Sequence, residues 1–321
     1  LAMGLILTPM AAPDRRQWVP SGALGALAVL VIAVSASTDF LHGVFLQRTA
    51  RLPVKPEITF WQEGRTATSV VISDRNTEQK WIFINGNAEV PTTLASLSCF
   101  KLLGTLGPLV HPDPQDAFII AVGGGIAAGA TLQHPDVESV EIVDIEEAVI
   151  EAARQLGEFN HDLLDDSRVE VVINDGRNQL LMSQRKWPVI ICDSTHPKAS
   201  DSWVLYTQEF YRLVHEHLDE DGVFVQWLPT HGLSVPEVQS IIATFQSVFP
   251  HASAWISAAA SNRGGTEFYL LLVATQERLQ IDVEDLRRQL DAPALRADLR
   301  PYDLAEPFGL LSSFLAGEAM L

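Results

Sequence analysis

The chain is poor in cysteine, in basic residues and in repetition. Its two cysteines, Cys99 and Cys192, offer neither a disulfide framework nor the spacing of a metal site, so a reducing compartment is the default expectation. Lys and Arg number 22 against 40 Asp and Glu, a formal charge of −18. That balance argues against a nucleic-acid partner, whose phosphates need a basic face. It fits a cationic small molecule, but weakly, since many proteins are acidic for solubility alone. No internal repeat or low-complexity tract is found. His215-Glu216-His217 puts its histidines two apart, on different sides of a helix, which is poor zinc geometry. A solvated helix end is the better reading of that triplet, and no metal is expected.

What is present is an ordinary globular composition, 47% apolar and 19% charged over 321 residues. That is enough to bury a sizeable core and to hold more than one structural unit. The N-terminus is different. Residues 1–13 are uncharged and largely apolar, and read as the end of a membrane helix that begins outside the sequence. From Gln17 to Thr38 there is again no charge, and Gly22–Val34 is continuously small or apolar. A run of about 20 such residues can cross a bilayer, and Trp18 sits where an interfacial aromatic is expected. A secretory signal peptide is the competing reading, opposed by two apolar segments in tandem and no clear cleavage site. The expectation is a membrane segment over 1–40, a membrane location and a catalytic domain in the cytoplasm. Arg15 and Arg16 on one side and Arg48, Arg51 and Lys55 on the other leave the orientation unsettled.

Beyond the anchor, Ile58–Trp61, Thr66–Ser73 and Lys80–Ile84 read as short strands, with Asn85-Gly86 as a hairpin-type turn. A small antiparallel β unit with a helix over 92–106 is therefore expected in residues 55–110. From Asp116 the pattern becomes strand–helix alternation. Ala117–Val122, Val140–Ile145, Val169–Ile173, Val189–Cys192 and Val223–Trp227 are Val/Ile-rich runs. Glu146–Leu156, Thr207–His217 and Val235–Phe249 read as helices. Such alternation indicates an α/β fold with a parallel sheet covered on both faces, placed at 111–276. Glu267–Ala274 reads as a last strand, antiparallel at the edge, and 277–321 reads as a helical extension.

Four strand ends carry the chemistry. Gly123-Gly124-Gly125 follows the first strand of the alternating region, where glycines let the backbone turn sharply and approach a ligand. That signal alone suits a dinucleotide, an adenosyl sulfonium or a plain tight turn. Asp144 ends the second strand about 20 residues on, where a carboxylate can accept both ribose hydroxyls. Asp175, in Asn174-Asp175-Gly176, ends the third and is placed to meet an adenine edge, or only to cap the next helix. A nicotinamide dehydrogenase would leave Asp175 without a task. Asp193 ends the fourth strand in Asp193-Ser194-Thr195-His196-Pro197, where open α/β sheets hold reactive groups. Asp193 could bind or deprotonate an amine with His196 as a second base, or the segment could be a capped turn. Trp227 and His231 either line the pocket mouth or pack in the core.

Residues 57–275 resemble the spermidine synthases (polyamine aminopropyltransferases), in particular the form fused to membrane helices. The matching motifs are Trp61-Gln62-Glu63-Gly64, Asn85-Gly86, His111-Pro112, Gly123–Gly125, Val143-Asp144-Ile145-Glu146, Asp175-Gly176 and Asp193–Pro197. Leu205-Tyr206-Thr207-Gln208-Glu209-Phe210-Tyr211 and Gly222-Val223-Phe224-Val225-Gln226-Trp227 complete them. The resemblance implies a β-stranded unit on a methyltransferase-like Rossmann domain, decarboxylated S-adenosylmethionine as donor and a di- or polyamine as acceptor. It implies a possible homodimer, and no metal. By the same carry-over Gly123, Gly124, Gly125, Asp144, Ile145, Asp175, Gly176 and Asp193 hold the donor, Asp193 and His196 are catalytic, and Gln62, Tyr206 and Gln226 contact substrate. Alternatives on the same fold are an S-adenosylmethionine-dependent methyltransferase and a non-catalytic nucleoside-sensing module.

The chain departs from the family pattern at three places. Ile126 stands where the glycine loop normally continues with an Asp, His196 where the second Asp of the Asp-Ser-Ser-Asp-Pro loop stands, and Phe100-Lys101-Leu102 where Tyr-(His or Gln)-Glu is usual. Each change removes a polar or negative group that would hold an amine. With Ile126 in the loop, ordinary S-adenosylmethionine is expected to be less strongly excluded, because like-charge repulsion of its carboxylate is gone.

Overall fold

The computed structural model describes residues 25–30, 38–49, 55–194, 196–199, 202–260 and 266–321. It divides into two compact units, Leu1–Pro56 and Glu57–Leu321. In the first, residues 25–30 are helical, and helix α1 spans Thr38–Thr49. Among the described residues no helix is long and apolar enough to cross a membrane. The transmembrane helix expected at the N-terminus is therefore not part of the described fold. Residues 1–13, and much of Gly22–Val34, lie outside the described residues.

The second unit begins with a four-stranded antiparallel sheet in the order β1-β2-β3-β4. Its strands are Pro56–Glu63, Thr68–Asp74, Lys80–Ile84 and Asn87–Pro91. The Asn85-Gly86 turn works as its residue types require: both have positive φ, 50° and 81°, the twist that a two-residue hairpin needs. Helix α2, Leu94–Val110, follows, with Thr93 capping its first turn by accepting from Ser96 N. Almost every side chain from Leu97 to Leu109 is buried. A helix apolar on all sides belongs in an interior, and α2 packs between the β unit and the large sheet.

That sheet has eight strands in the order β12-β10-β11-β9-β8-β5-β6-β7. The parallel part is β5 Asp116–Ile120, β6 Ser139–Asp144, β7 Val169–Ile173, β8 Trp187–Cys192 and β9 Leu218–Pro229. Strand order runs outward in opposite directions from β5, so the topological switch point falls between β5 and β8, where such sheets bind ligands. The expected closing strand, β11 Thr266–Ala274, is antiparallel but not at the edge. It lies between β9 and β10, Ala252–Ala260. Sequence reasoning passes over β10 because its Ala-Ser-Ala pattern has little strand propensity. Pairing with β11 from Ala252↔Ala274 to Ala260↔Thr266 overrides that preference.

The helices Val283–Leu290, Pro293–Leu299 and Pro307–Leu311 form the expected helical C-terminal stretch. Leu286, Leu290, Leu295, Leu299 and Leu310 enter the same core as Leu106 and Ile119, and β12 Phe314–Ala316 pairs with β10. These residues complete the sheet and its cover rather than trailing from it. A second core on the opposite face gathers Phe118, Trp187, Phe210, Tyr211, Phe224 and Phe245. A third joins Val71, Ile82 and Val90 of the β unit to Phe100, Ile126 and Leu156, fastening the small sheet over the carboxyl ends of β5 and β6.

Candidate active site

The site is assembled from the backbone just beyond the parallel strands. After β5, Ala121 takes a positive φ of 67° and its N–H donates to Val143 O of β6 at 2.8 Å. The next N–H, of Val122, donates to Asp144 Oδ2 at 2.9 Å, and Glu146 N donates to Asp144 Oδ1 at 2.9 Å. Both carboxylate oxygens of Asp144 are thus oriented by backbone, each with acceptor capacity left over. Asp144 is buried, and burial pushes its carboxyl up to about 6.

Asp193 follows β8. Its N–H donates to Ile120 O at 3.0 Å, continuing the β8–β5 pairing past the strand end. The side chain is 8% exposed. Unlike Asp144, it accepts no hydrogen bond among the described residues. Burial holds its carboxyl well above the usual range, and the charge of Asp144 adds to that. Gly123, with φ +52°, makes the fit possible: a Cβ there would stand 3.3 Å from Asp193 Oδ2, and one on Gly124 only 2.7 Å from Val90 Cγ1. Side chains in the loop would push it off both neighbours.

Asp175 accepts from Asn178 N at 3.0 Å and caps the helix Gly176–Met182, as the simpler reading of this residue holds. It also lines the cavity, so capping and ligand contact are compatible. Glu146 ties the β unit down: its carboxylate accepts from Thr66 N, Thr66 Oγ1 and Ala67 N at 2.7, 2.8 and 3.1 Å.

These groups surround one cavity of about 570 Å³. Five carboxylates reach it, from Glu89, Asp144, Glu146, Asp175 and Asp193, against one amine, that of Lys198. The Lys198 charge is already met by Glu237 at 3.0 Å. Val90, Phe100, Ile145, Val149, Leu205 and Trp227 supply apolar wall. The result is a pocket half apolar and strongly acidic, a container for an organic cation. Among the described residues no group of three His, Cys, Asp or Glu could hold a metal ion.

Of the donor-site residues named from sequence, Gly123, Asp144, Ile145, Asp175, Gly176 and Asp193 meet at this cavity. Gly124 and Gly125 do not line it. They serve by close packing, and Gly125 by starting the short helix Ile126–Thr131 in a left-handed conformation. The other candidates are placed elsewhere. Gln62 lies in β1, off the wall. Tyr206 and Gln226 are buried behind the β8–β9 tips, with Tyr206 OH between Ser194 Oγ at 3.3 Å and Trp227 O at 3.2 Å. His196 has both ring nitrogens occupied, Nδ1 by Lys198 N at 3.1 Å and Nε2 by His231 O at 2.6 Å. Thr195 lies outside the described residues.

Two of the departures acquire different meanings. Ile126 is 1% exposed and packs in the core against the β unit, so the wall is acidic without any contribution from position 126. Lys101 is also buried and faces away from the cavity, bonded to Asp298 Oδ1 at 2.6 Å and Phe159 O at 3.0 Å. It cannot repel an amine in the site. The wall residue that sequence reasoning missed is Glu89, and its only signal was a lone acid in the short run between Asn87 and Pro91.

A family model described as "Spermine/spermidine synthase domain" matches residues 100–277. The chain belongs to the spermine/spermidine synthase family. The polyamine aminopropyltransferase of Caldicellulosiruptor bescii is 30% identical over 200 residues, covering 62% of this chain and 72% of that protein. That of Saccharolobus solfataricus is 35% identical over 165 residues, 49% of this chain and 55% of the other. Among solved structures, a spermidine synthase in complex with the transition-state analogue AdoDATO superposes with a TM-score of 0.65 at 21% identity, covering 82% of this chain and 85% of that one. The Thermotoga maritima spermidine synthase gives the same score at 22% identity. The methyltransferase-like Rossmann fold with its small antiparallel sheet is that of the spermidine synthases.

Proposed function

We propose that this family member moves an aminopropyl group from decarboxylated S-adenosylmethionine to an amine, releasing methylthioadenosine. Relatives named polyamine aminopropyltransferase support aminopropyl transfer as the reaction class. The observation that carries the reading to these residues is the carboxylate of Asp193, without a partner among the described residues, in one acidic cavity with the oriented carboxylate of Asp144.

In this reading Asp144 takes the two ribose hydroxyls on its unused lone pairs, and Asp175 faces the adenine. The donor's sulfonium then lies toward Asp193. The acceptor nitrogen attacks the carbon next to sulfur: a C–N bond forms, the C–S bond breaks, and its electron pair leaves on the neutral thioether of methylthioadenosine. The nitrogen must arrive unprotonated, and the product ammonium must lose a proton. A carboxylate held above its usual range at that position can orient the amine and receive the proton. His196 would act on the amine only if its bond to His231 O opened.

The test is to incubate the full chain with each donor and a panel of amines and to identify the nucleoside product. Methylthioadenosine from the decarboxylated donor is expected. S-adenosylhomocysteine from ordinary S-adenosylmethionine would make the protein a methyltransferase, and tight donor binding with neither product would make it a sensor.

A further inference from the structure

The glycine loop is gripped from behind as well as from the cavity side. Asn160 is 1% exposed and stands off the cavity wall. Its Nδ2 donates to Gly124 O at 2.9 Å and to Ala153 O at 2.8 Å. Both partners are carbonyls, so both amide hydrogens are used and the orientation of the amide is fixed. Ala153 belongs to the last turn of the helix Glu147–Arg154, which follows Asp144 in the chain. One side chain thus ties the loop after β5 to the helix after β6. The fit is close: a Cβ on Gly125 would stand 3.1 Å from Asn160 Nδ2, and one on Gly129 2.3 Å from Asn160 O. These two glycines make room for this segment rather than for a ligand.

The segment is itself anchored at a distance. His161 and Asp162, the two residues after Asn160, both take left-handed backbone, with φ of 62° and 48°. Successive non-glycine residues in that region persist only where their surroundings over-determine them. Here Asp162 N donates to Gly157 O at 3.0 Å, and His161 Nε2 donates to Asp298 Oδ1 at 2.6 Å. Lys101 Nζ, paired with the same Asp298 oxygen, donates to Phe159 O at 3.0 Å. Helix α2 and the helix Pro293–Leu299 therefore grip the residues on either side of Asn160. Resting on the donor-binding part of the proposed function, we infer that Asn160 is a positioning residue of the site. It fixes the Gly124 carbonyl, and with it the path of Gly123 past Asp193, while the Lys101–Asp298–His161 cluster holds Asn160 in place. Lys101, a departure from the family pattern, then serves the site from behind instead of entering it.

Two measurements on the full chain test this, each comparing Asn160→Ala with Val214→Ala, which opens a void in the core on the opposite face of the sheet. In the ligand-free protein, amide hydrogen exchange at residues 123–129 is expected to rise by at least about tenfold in Asn160→Ala and to stay within about twofold in Val214→Ala. Calorimetric titration with methylthioadenosine is expected to show binding at least about tenfold weaker in Asn160→Ala, the loss of buried hydrogen bonds, and a change of about twofold or less in Val214→Ala. His161→Asn keeps a residue that tolerates left-handed backbone at an exposed position, but is too short to reach Asp298. It should weaken methylthioadenosine by about three- to tenfold, and it decides the matter if Asn160→Ala does not fold. Loop exchange or nucleoside binding that shifts equally in Asn160→Ala and Val214→Ala would overturn the assignment, and so would wild-type binding by His161→Asn. A wild-type chain that does not bind methylthioadenosine would sink the donor reading, while loop exchange would still decide the role of Asn160.

Discussion

The tips of β6 and β8 carry two aspartates of the same burial class in opposite states. Among the described residues Asp144 is held by two backbone donors and Asp193 by none. On the β6 side the backbone fixes a carboxylate that, in the proposed function, takes the neutral ribose hydroxyls, partners that need direction more than charge. On the β8 side the carboxylate keeps its charge uncompensated, and only a cation or a proton satisfies it. The difference teaches that a recognition group can be prepared by supplying hydrogen bonds, while a reactive group is prepared by withholding them. The cost is stability, as is common at functional sites.

The contrast breaks most visibly at Asp193. Asp193→Asn should lower kcat for methylthioadenosine release by about 10²- to 10⁴-fold with nucleoside affinity nearly unchanged. An equal loss in nucleoside binding would erase the division between the two tips. A third buried aspartate sharpens it. Asp298 is paired with buried Lys101 at 2.6 Å and with His161 at 2.6 Å. Asp298→Asn strands the lysine charge and should cost about 3–5 kcal/mol in urea unfolding, whereas Asp193→Asn should make the ligand-free protein more stable. Matching signs would refute the reading of Asp193 as an uncompensated charge.

Acidity offers a finer probe. The carboxyl of Asp144 rises from 3.8 to about 6 on folding, so the folded chain holds that proton more tightly than the unfolded one. Its contribution to stability is therefore fullest below about pH 4 and is lost as pH climbs through 6, with a span of about 3 kcal/mol. Unfolding curves of wild type and Asp144→Asn should diverge across that window, and parallel curves would show the burial to be without consequence. The smallest effect expected is on binding: Asp144→Asn should weaken methylthioadenosine by about 10- to 100-fold, the loss of charge-assisted hydrogen bonds, and should affect kcat less than Asp193→Asn does.

The strands of the parallel sheet and the acids at their ends were readable because continuous Val/Ile runs have few ways to be buried, and because position after such a run already means the ligand-binding edge. The Asn85-Gly86 hairpin was readable for a local reason, the positive φ of both residues. β10 was not, since its strand character comes from its neighbour and not from its alanines. The apolar N-terminal run reads as a membrane span on hydropathy alone; most of it lies outside the described residues, among which no helix is long and apolar enough to cross a membrane.

Composition and periodicity were sufficient to determine an α/β chain with acids at one edge of a parallel sheet, because those properties depend on residue type and on order along the backbone. The direction in which a side chain points out of a loop or helix depends on what packs against it. Tertiary structure alone therefore turned Ile126 into the core, bound Lys101 to Asp298, closed both ring nitrogens of His196 and brought Glu89 from the small sheet to the cavity that Asp193 also lines. Residues distant in sequence share a cavity only after two sheets have been packed together, and no local pattern encodes that meeting.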